Sequence, residues 1–183
     1  MKKCFPVFVL GALMMVAVSC EKETDSIKNK EEQGTENTDT FSVEAIDLGL
    51  SVKWANCNVG ANYAEGYGEL YECNSSIPWG SNWRLPSYFE IVELHENCSW
   101  TWTEQRGING MLVTGPSGKS IFLPAAGCKN EEGVIEFQGT IGTYWGSLSE
   151  EKGSVPIFTF GNTGSFINDG GNTIKRSIRP VIE

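Results

Sequence analysis

The sequence is poor in positive charge. Its 183 residues include 14 Lys and Arg against 23 Asp and Glu, which gives a formal net charge of −9 at pH 7. Nucleic-acid binding depends on basic side chains that displace counterions from phosphates, so no nucleic-acid partner is expected. Attachment to anionic lipid through a polybasic patch is disfavoured for the same reason.

Histidine and closely spaced metal ligands are also scarce. The chain has one histidine, His95, and no two of its cysteines are spaced as C-x-x-C. A zinc site needs several such ligands, so no metal and no other cofactor is expected. A Ser-His-Asp arrangement would have to use His95, and no G-x-S-x-G turn precedes it. His95 is therefore interpreted as a packed or half-exposed helix residue. The sequence predicts no catalytic residue, and an enzyme of unrecognised type is the weakest of the functional alternatives.

A long apolar run occurs only at the N-terminus. Lys2 and Lys3 precede an apolar stretch over residues 4–18, which is too short for a permanent membrane-spanning helix. The stretch ends in Ala17-Val18-Ser19-Cys20, which resembles the lipobox of bacterial lipoproteins. The resemblance implies a signal peptide over residues 1–19 and acyl chains such as palmitate on Cys20, which would anchor the chain to a membrane. An ordinary secretory signal cut after a small residue is the alternative.

The segment after this cysteine is polar. Residues 21–40 are rich in Glu, Lys, Asn, Thr and Asp, and Ile27 is their only large apolar residue. Such a segment buries too little surface to offset its ordering entropy, so residues 20–42 are interpreted as a lipidated cysteine and a flexible acidic tether. The acids at positions 21, 23 and 25 resemble the surface-export signals of lipoproteins from the Bacteroidetes. This implies an outer-membrane protein exposed at the cell surface, although a merely soluble tether explains the composition equally well.

Residues 43–183 have the size of one domain, and their pattern favours an α+β fold. The helix signal begins at Pro86, because proline disfavours a helix running back through Leu85. Ser87 and Glu90 have the spacing of a capping box, which predicts a helix from Tyr88 to about Asn97.

Strand signals surround this helix. Residues 47–54 alternate apolar and polar side chains, which predicts a half-buried strand or hairpin. Glycine-rich turns at 115–118 and 161–164 separate further apolar stretches into two hairpins. The remaining predicted strands are 99–103, 111–114, 120–123, 157–160, 165–167 and 177–182.

Six blocks together resemble a known family. They are LGLSVKWANCNVGA (48–61), WRLPS (83–87), NCSWTWT (97–103), IFLPAAG (121–127), YWGS (144–147) and SIRPV (177–181). In this order they resemble the Fibrobacter succinogenes major paralogous domain, which is abundant in Bacteroides lipoproteins. The resemblance implies a C-type-lectin-like fold with a short helix and several antiparallel hairpins. It departs after Tyr67-Gly68-Glu69, where relatives usually carry a longer insertion.

The family-like blocks are interpreted as scaffold. Arg84 is expected to form an ion pair or bind a carbonyl beside the helix, and four tryptophans, Trp54, Trp83, Trp100 and Trp102, are expected in the core. The block around Arg84 is also similar to one in the formylglycine-generating enzymes. Their two late cysteines, spaced C-x4-C, are not matched here, because Cys128 stands alone in the later part of the chain.

Four cysteines remain besides Cys4 and Cys20. An even number in an exported protein suggests disulfides, and three pairings are possible. Comparison with the family suggests Cys57–Cys98 and Cys73–Cys128, since the first two stand where cysteine is common and the others where relatives often have aromatics. Buried free thiols are the alternative.

The lectin-like resemblance implies that ligands meet loops near the late hairpin. Candidate binding residues are Tyr144, Trp145, Asn162, Thr163, Ser165, Asn168, Asp169 and Asn172, since amides and hydroxyls beside aromatic rings suit a sugar or a peptide. Turn chemistry explains the polar members of this set equally well. No Glu-Pro-Asn block for calcium-dependent sugar binding is present. A recognition or adhesion module for a glycan or protein ligand is the leading hypothesis, followed by a structural envelope subunit.

Overall fold

Strands make up most of the described fold. The computed structural model describes residues 41–73, 75–149, 153–170 and 173–183, and these belong to one compact unit. The strands are β1 (Ala45–Ile46), β2 (Lys53–Ala55), β3 (Ser99–Gln105), β4 (Ile108–Thr114), β5 (Ser120–Pro124), β6 (Cys128–Lys129), β7 (Ile135–Glu136), β8 (Ile141–Trp145), β9 (Val155–Gly161), β10 (Gly164–Gly170) and β11 (Val181–Ile182). One helix, α1, spans Tyr88–Asn97. The α+β class is as expected, whereas the predicted signal peptide, Cys20 and Asn172 lie outside the described residues.

The strands pair in four small sheets, all antiparallel. Their orders are β1-β2-β11, β3-β4-β5, β10-β9-β8 and β6-β7. The C-terminal segment connects two of these sheets, because Ser177 bridges Tyr144 of β8 while Val181 pairs with Trp54 of β2. β10 lies at one edge of its sheet, so one side of the late hairpin faces away from other strands.

The helix begins and ends at the predicted residues and has the predicted capping box. The Ser87 hydroxyl accepts a hydrogen bond from the Glu90 amide, and the Glu90 carboxylate accepts one from the Ser87 amide at 2.7 Å. Arg84 donates to both oxygens of Glu90, at 2.8 and 2.7 Å, and to the Leu85 carbonyl. The expected role of Arg84 beside the helix is therefore confirmed.

Both predicted hairpins are present and longer than expected. β4 and β5 pair from Gly110–Pro124 to Thr114–Ser120 around the turn at 115–118. β9 and β10 pair over seven positions, from Gly164–Gly161 to Gly170–Val155. The predicted strand at 99–103 is the first part of β3.

Two strand predictions are wrong over most of their length. Residues 47–52 form turns rather than a strand, because the Gly49 amide donates to the Asp47 carboxylate and Gly49 has φ = 81° in a close approach to Ser117. Only residues 53–55 are a strand there. In the predicted strand 177–182, only β11 pairs regularly. Pro180, directly before β11, has no amide to donate to a strand ladder, and the Arg179 side chain turns inward.

The main core lies between the helix and the sheets. It contains Trp54, Ile91, Leu94, Met111, Val113, Leu123, Tyr144, Phe158 and Phe160, among others. Trp54 is buried as expected, and Trp100 and Trp102 are partly buried against the same core. Trp83 is half-buried at the margin, with its ring edge-to-face against Trp79 at 5.7 Å. Burial of several aromatic side chains in one cluster supplies a large part of the hydrophobic stabilisation.

A buried cation lies beside this core. The Arg179 side chain is fully enclosed, and its Nε and two Nη atoms donate to Asn58 Oδ1 at 3.0 Å, the Ala55 carbonyl at 3.0 Å and the Phe122 carbonyl at 2.7 Å. Asn58 in turn donates to the Tyr144 hydroxyl at 3.2 Å. Burial lowers the pKa of Arg179. This network joins the loop after β2, strand β5 and the C-terminal segment.

We expect the Glu90 carboxylate to make stability depend on pH at the acid end. Desolvation alone would raise its pKa, but hydrogen bonds from Arg84 and Ser87 outweigh it, and the net pKa is lowered. A lowered folded-state pKa stabilises the fold above the unfolded-state pKa, and this contribution is lost as pH falls through the folded-state value. Urea unfolding of Glu90→Gln from neutral pH downwards should show a smaller loss of stability on acidification than the unchanged chain. Glu104→Gln, at an exposed position of β3, is the control, and equal pH slopes in all three would contradict the prediction.

We expect Arg179→Met to destabilise the fold strongly. The variant keeps much of the side-chain volume but leaves three buried acceptors without a donor, at about 1–3 kcal/mol each. Urea unfolding should show this loss, while Arg106→Met, at an exposed hairpin turn, should change little. Where Arg179→Met does not fold, Tyr144→Phe removes one hydroxyl of the network and should cost about 1–2 kcal/mol. Unchanged stability in Tyr144→Phe would contradict the importance of the network.

Candidate functional site

The β9–β10 hairpin presents two different faces. Successive residues of a strand point to opposite faces of the sheet. On β10, Ile167 packs against the main core and the Ser165 hydroxyl contacts His95 Nε2 at 2.9 Å. Phe166 and Asn168 alternate with these inward residues and are exposed. The outward face of the hairpin therefore carries an aromatic ring and an amide side by side.

An open groove of about 520 Å³ follows the tip of this hairpin. It is lined by residues 159–166 together with Thr140 and Ile141, so it contains Asn162, Thr163 and Ser165 of the predicted set. The Phe166 side chain is 56 % exposed beside it. No charged side chain is among the described residues that line the groove.

Three polar side chains of the hairpin, two at its tip and one further along β10, are not engaged with other residues that the structure describes. Asn162, Thr163 and Asn168 are exposed, and their side chains make no hydrogen bond to any other residue that the structure describes. An amide offers two donors and an acceptor, and a hydroxyl offers both functions. Together with the Phe166 ring, these groups can stack against an apolar face of a ligand and hydrogen-bond to its polar edge.

The predicted aromatic part of the site is wrong. Tyr144 and Trp145 are both buried, so neither ring can meet a ligand. They lie on β8, which pairs with β9 on one side and is bridged by Ser177 on the other. Tyr144 stacks on Phe160 at 5.7 Å and donates to the Pro124 carbonyl, and desolvation raises its pKa to about 12. Trp145 carries the Arg176 guanidinium over its ring at 4.3 Å.

Phe166 is the residue that sequence reasoning missed. The alternation of Ser165, Phe166, Ile167 and Asn168 contains the signal, because a strand that buries Ile167 must turn Phe166 outward. The predicted binding residues of this hairpin were all polar, so the prediction did not include Phe166.

The other predicted residues of the hairpin lie further from the groove. Asn168 shares the outward face with Phe166, two positions along the strand. The Asp169 carboxylate accepts a hydrogen bond from the Ser154 hydroxyl at 3.0 Å, so it is engaged in joining the two strands. The structure thus brings Asn162, Thr163 and Ser165 together at the groove and leaves Asp169 outside it.

The lone histidine lies under the hairpin. Its ring is half-buried and lies 6.2 Å from the Trp100 ring and 6.0 Å from the Phe158 ring. This is the packed position on the helix that the sequence predicts for His95. Among the described residues, His95 forms no hydrogen bond to a carboxylate.

Neither predicted disulfide is formed. Cys57, Cys73, Cys98 and Cys128 are all free thiols. Desolvation raises the pKa of each, so the four side chains are protonated at neutral pH. This is the alternative in which the cysteines act as small apolar side chains.

The surroundings explain why the cysteines do not pair. Cys57 is fully buried and close to Arg179, whereas Cys98 caps the C-terminal end of α1 near Glu93. Cys73 and Cys128 both lie near Arg176. The segment carrying Arg176 pairs with Tyr71 on one side and, through Lys175, with Lys129 on the other. A backbone segment therefore separates the stretches that hold Cys73 and Cys128.

Neither a metal centre nor a membrane-spanning helix is present in the described residues. No group of three or more His, Cys, Asp and Glu side chains converges there as a metal site would require. In the same part of the chain, no helix has the length and apolar character needed to cross a bilayer.

The chain matches no family model, no curated protein and no solved structure. The kind of ligand that the groove could bind must therefore be inferred from the residues around it. They provide one accessible aromatic face, at Phe166, and uncharged donors and acceptors at Asn162 and Thr163, while Asn168 lies outside the lining, two positions beyond Phe166 on β10. Such a surface suits a neutral polar ligand better than an ion, because it offers directional hydrogen bonds without a counter-charge.

Proposed function

We propose that this chain is a cell-envelope lipoprotein whose domain recognises a glycan or a protein ligand through the groove on the β9–β10 hairpin. The observation that carries the proposal is the exposed Phe166 ring beside the unengaged side chains of Asn162, Thr163 and Asn168. Exposure of one phenylalanine is common, but the Phe166 ring lines a groove together with Asn162 and Thr163, and an aromatic face beside free donors and acceptors in a groove favours a binding role.

The ligand class follows from the chemistry of this surface. A sugar ring presents C–H groups on one face and hydroxyls around its edge, and an extended peptide alternates apolar side chains with backbone amides. Both can place an apolar face on Phe166 while their polar groups meet the amides of Asn162 and Asn168. The groove is shallow and lies at a loop, which is where a scaffold varies its binding without changing its core.

The family assignment belongs to the same proposal. We infer a Fibrobacter succinogenes major paralogous domain with a C-type-lectin-like fold from the six sequence blocks. The scaffold residues of those blocks support it: Trp54 lies in the core and Arg84 holds the helix start through Glu90. In this interpretation the blocks maintain the fold, while the hairpin between them carries recognition.

The location follows from the N-terminal sequence. Cys20 at the end of the lipobox-like motif would carry the lipid, and the acidic segment after it would hold the domain away from the membrane. We propose the outer membrane as the site of anchoring, with the domain exposed at the cell surface. No catalytic role is assigned, since His95 and Ser165 pack between the helix and the hairpin without a carboxylate among their described partners.

We expect binding to depend on the hairpin. The full chain in detergent micelles should bind a subset of spots on glycan and peptide arrays, and the strongest hit should titrate to saturation. Phe166→Ser should weaken that binding about tenfold, since a stacked aromatic contributes about 0.5–1.5 kcal/mol beyond the area it buries. The double variant Asn162→Ala with Asn168→Ala should weaken it by a similar factor, because each lost hydrogen bond is worth about 0.5–1.5 kcal/mol.

Phe89→Ser is the matched control for this titration. Phe89 is 75 % exposed on the helix, away from the groove lining, so its loss should leave binding unchanged. Thermal unfolding should show that all variants remain folded, as expected for exposed side chains. Absence of binding across both arrays, or equal affinity in Phe166→Ser and Phe89→Ser, would contradict the proposal.

We expect Cys20→Ser to detach the chain from the membrane. Expressed in a bacterium that processes lipoproteins, the unchanged chain should take up radiolabelled palmitate and sediment with the membrane fraction. Cys20→Ser should lose both properties, because the sulfur is the acceptor of the lipid. Cys4→Ser, within the apolar stretch, should keep both. Retention of Cys20→Ser in the membrane fraction would show that something other than this cysteine anchors the protein.

A further inference from the structure

The hairpin formed by β6 and β7 carries an exposed apolar surface. Val134 is 54 % exposed, Ile135 46 % and Phe137 58 %. These three side chains lie within four residues, at the outer side of a hairpin far shorter than the others. Exposed apolar side chains that lie this close together in the chain mark a candidate place for another molecule to bind. We call residues 128–137 the β6–β7 hairpin.

The backbone of β7 has a free edge at the same place. In an antiparallel ladder, hydrogen-bonded pairs alternate with non-hydrogen-bonded pairs. The Asn130 amide donates to the Val134 carbonyl, so the next pair, Lys129 with Ile135, is non-hydrogen-bonded. The Lys129 amide and carbonyl accordingly bond to Lys175 instead. The N–H and C=O of Ile135 therefore point away from β6 and meet no backbone partner among the described residues.

The backbone of Phe137 has an unfavourable conformation that several hydrogen bonds hold in place. Its φ is 60°, in the left-handed region that bulky residues avoid, at a cost of about 1–2 kcal/mol. Its carbonyl accepts hydrogen bonds from the amides of Thr140 and Ile141 and from the Thr140 hydroxyl, at 3.1, 3.0 and 2.9 Å. A strained residue that surrounding bonds hold in place often has a functional reason. The exposed Phe137 ring directly follows β7 and its free edge.

The charge around this edge is negative. Glu131, Glu132 and Glu136 lie on the β6–β7 hairpin itself. A groove of about 360 Å³ beside it is lined by Ile135, Tyr67, Leu70 and Lys129, with a fourth carboxylate at Glu69. The hairpin and the lining of the groove hold four carboxylates against the cation of Lys129, while Lys175 and Arg176 lie along the other edge of β6, away from β7. A molecule that docks here gains from positive charge.

Together these observations select one kind of occupant. We propose that the edge of β7 binds an extended polypeptide segment of a partner protein in which apolar side chains alternate with Lys or Arg. The segment would add a strand to β7 through the N–H and C=O of Ile135. Its apolar side chains would cover Ile135 and Phe137, and its basic side chains would meet the surrounding glutamates. The groove beside this partner surface shares no lining residue with the groove on the β9–β10 hairpin.

Two occupants from the chain itself fit less well. Pairing of two β7 edges from separate copies would bring the glutamates of both hairpins together, and like charges across a strand pair are destabilising. The polar segment at residues 21–40 has seven Asp and Glu against three Lys, and Ile27 is its only large apolar residue. It therefore lacks both the charge and the apolar side chains that the edge requires.

The test uses peptides of defined pattern on the full chain in detergent micelles. The probe is a fluorescent eight-residue peptide of alternating Lys and Val. One control replaces Lys by Glu, and a second keeps every Lys but replaces alternate Val by Pro, so that charge remains without strand formation. We expect saturable binding of the Lys/Val peptide, measured by fluorescence anisotropy, with at least tenfold weaker binding of both controls. Binding should weaken as salt rises.

Ile135→Pro tests the backbone contact directly. The amide of residue 135 points outward, so proline removes the donor needed by the partner without breaking a bond to β6. Peptide affinity should fall at least tenfold, while Ile135→Val, which keeps the amide and an apolar side chain, should bind within a factor of about two. Hydrogen exchange on the unchanged chain should slow at residues 134–137 when the Lys/Val peptide is bound. Thermal unfolding of both variants checks that the hairpin remains folded.

Several results would overturn the proposal. They are equal binding of the Pro-containing peptide, equal affinity in Ile135→Pro and Ile135→Val, or exchange protection on β10 instead of β7. A chain that forms dimers in sedimentation equilibrium, lost in Ile135→Pro, would assign the edge to a second copy instead. Phe166→Ser should leave peptide binding unchanged, so failure of the array experiment and failure of this one are distinguishable.

Discussion

The fold depends on a buried arginine that has no carboxylate partner among its described neighbours. Arg179 is balanced by the carbonyl dipoles of Ala55 and Phe122 and by the Asn58 amide oxygen. A guanidinium presents its donors in a fixed plane, so these acceptors must occupy defined positions around it. The loop after β2, strand β5 and the C-terminal segment can therefore meet in one arrangement only, because any other leaves a buried charge without compensation. This explains why a C-terminal stretch with little regular strand is nevertheless buried from Ser177 to Val181.

The same constraint decides which groups are available for function. Tyr144 and Asn58 are drawn into the arginine network, and their hydrogen-bonding capacity is used inside the protein. Buried polar groups that are fully engaged make a core specific but cannot serve a ligand. The side chains on the outer faces of the hairpins, by contrast, remain accessible to other molecules. Tyr144, an aromatic residue that stands out in a sequence block, is thus buried, whereas the accessible ring of Phe166 lies outside those blocks.

Features that depend on residues close together in the chain could be predicted from the sequence. Features that depend on contacts between distant segments could not. The capping box of α1 needs only Ser87 and Glu90, which lie three residues apart, and the turn at 115–118 is determined by its own glycines and proline. Burial of Tyr144 and Trp145 depends on β9 and on Ser177, which lies about thirty residues away, and no local pattern reveals that. The disulfide prediction is wrong for the same reason. The backbone segment that separates Cys73 from Cys128 comes from the far end of the chain. The outward direction of Phe166 was predictable in principle, since it follows from strand alternation alone.

The two exposed edges are places where identical copies of the chain could pair. An uncovered strand with apolar side chains is a template for association. Natural proteins protect such edges with charged side chains and by keeping the edge strands short. β7 has two residues, and Glu131, Glu132 and Glu136 surround it. These glutamates repel an identical copy, which carries the same charges at the same positions, but they attract a segment of opposite charge. An acidic chain can therefore keep an apolar edge accessible where a neutral chain would aggregate, and in our proposal the charge that opposes self-association also selects the partner.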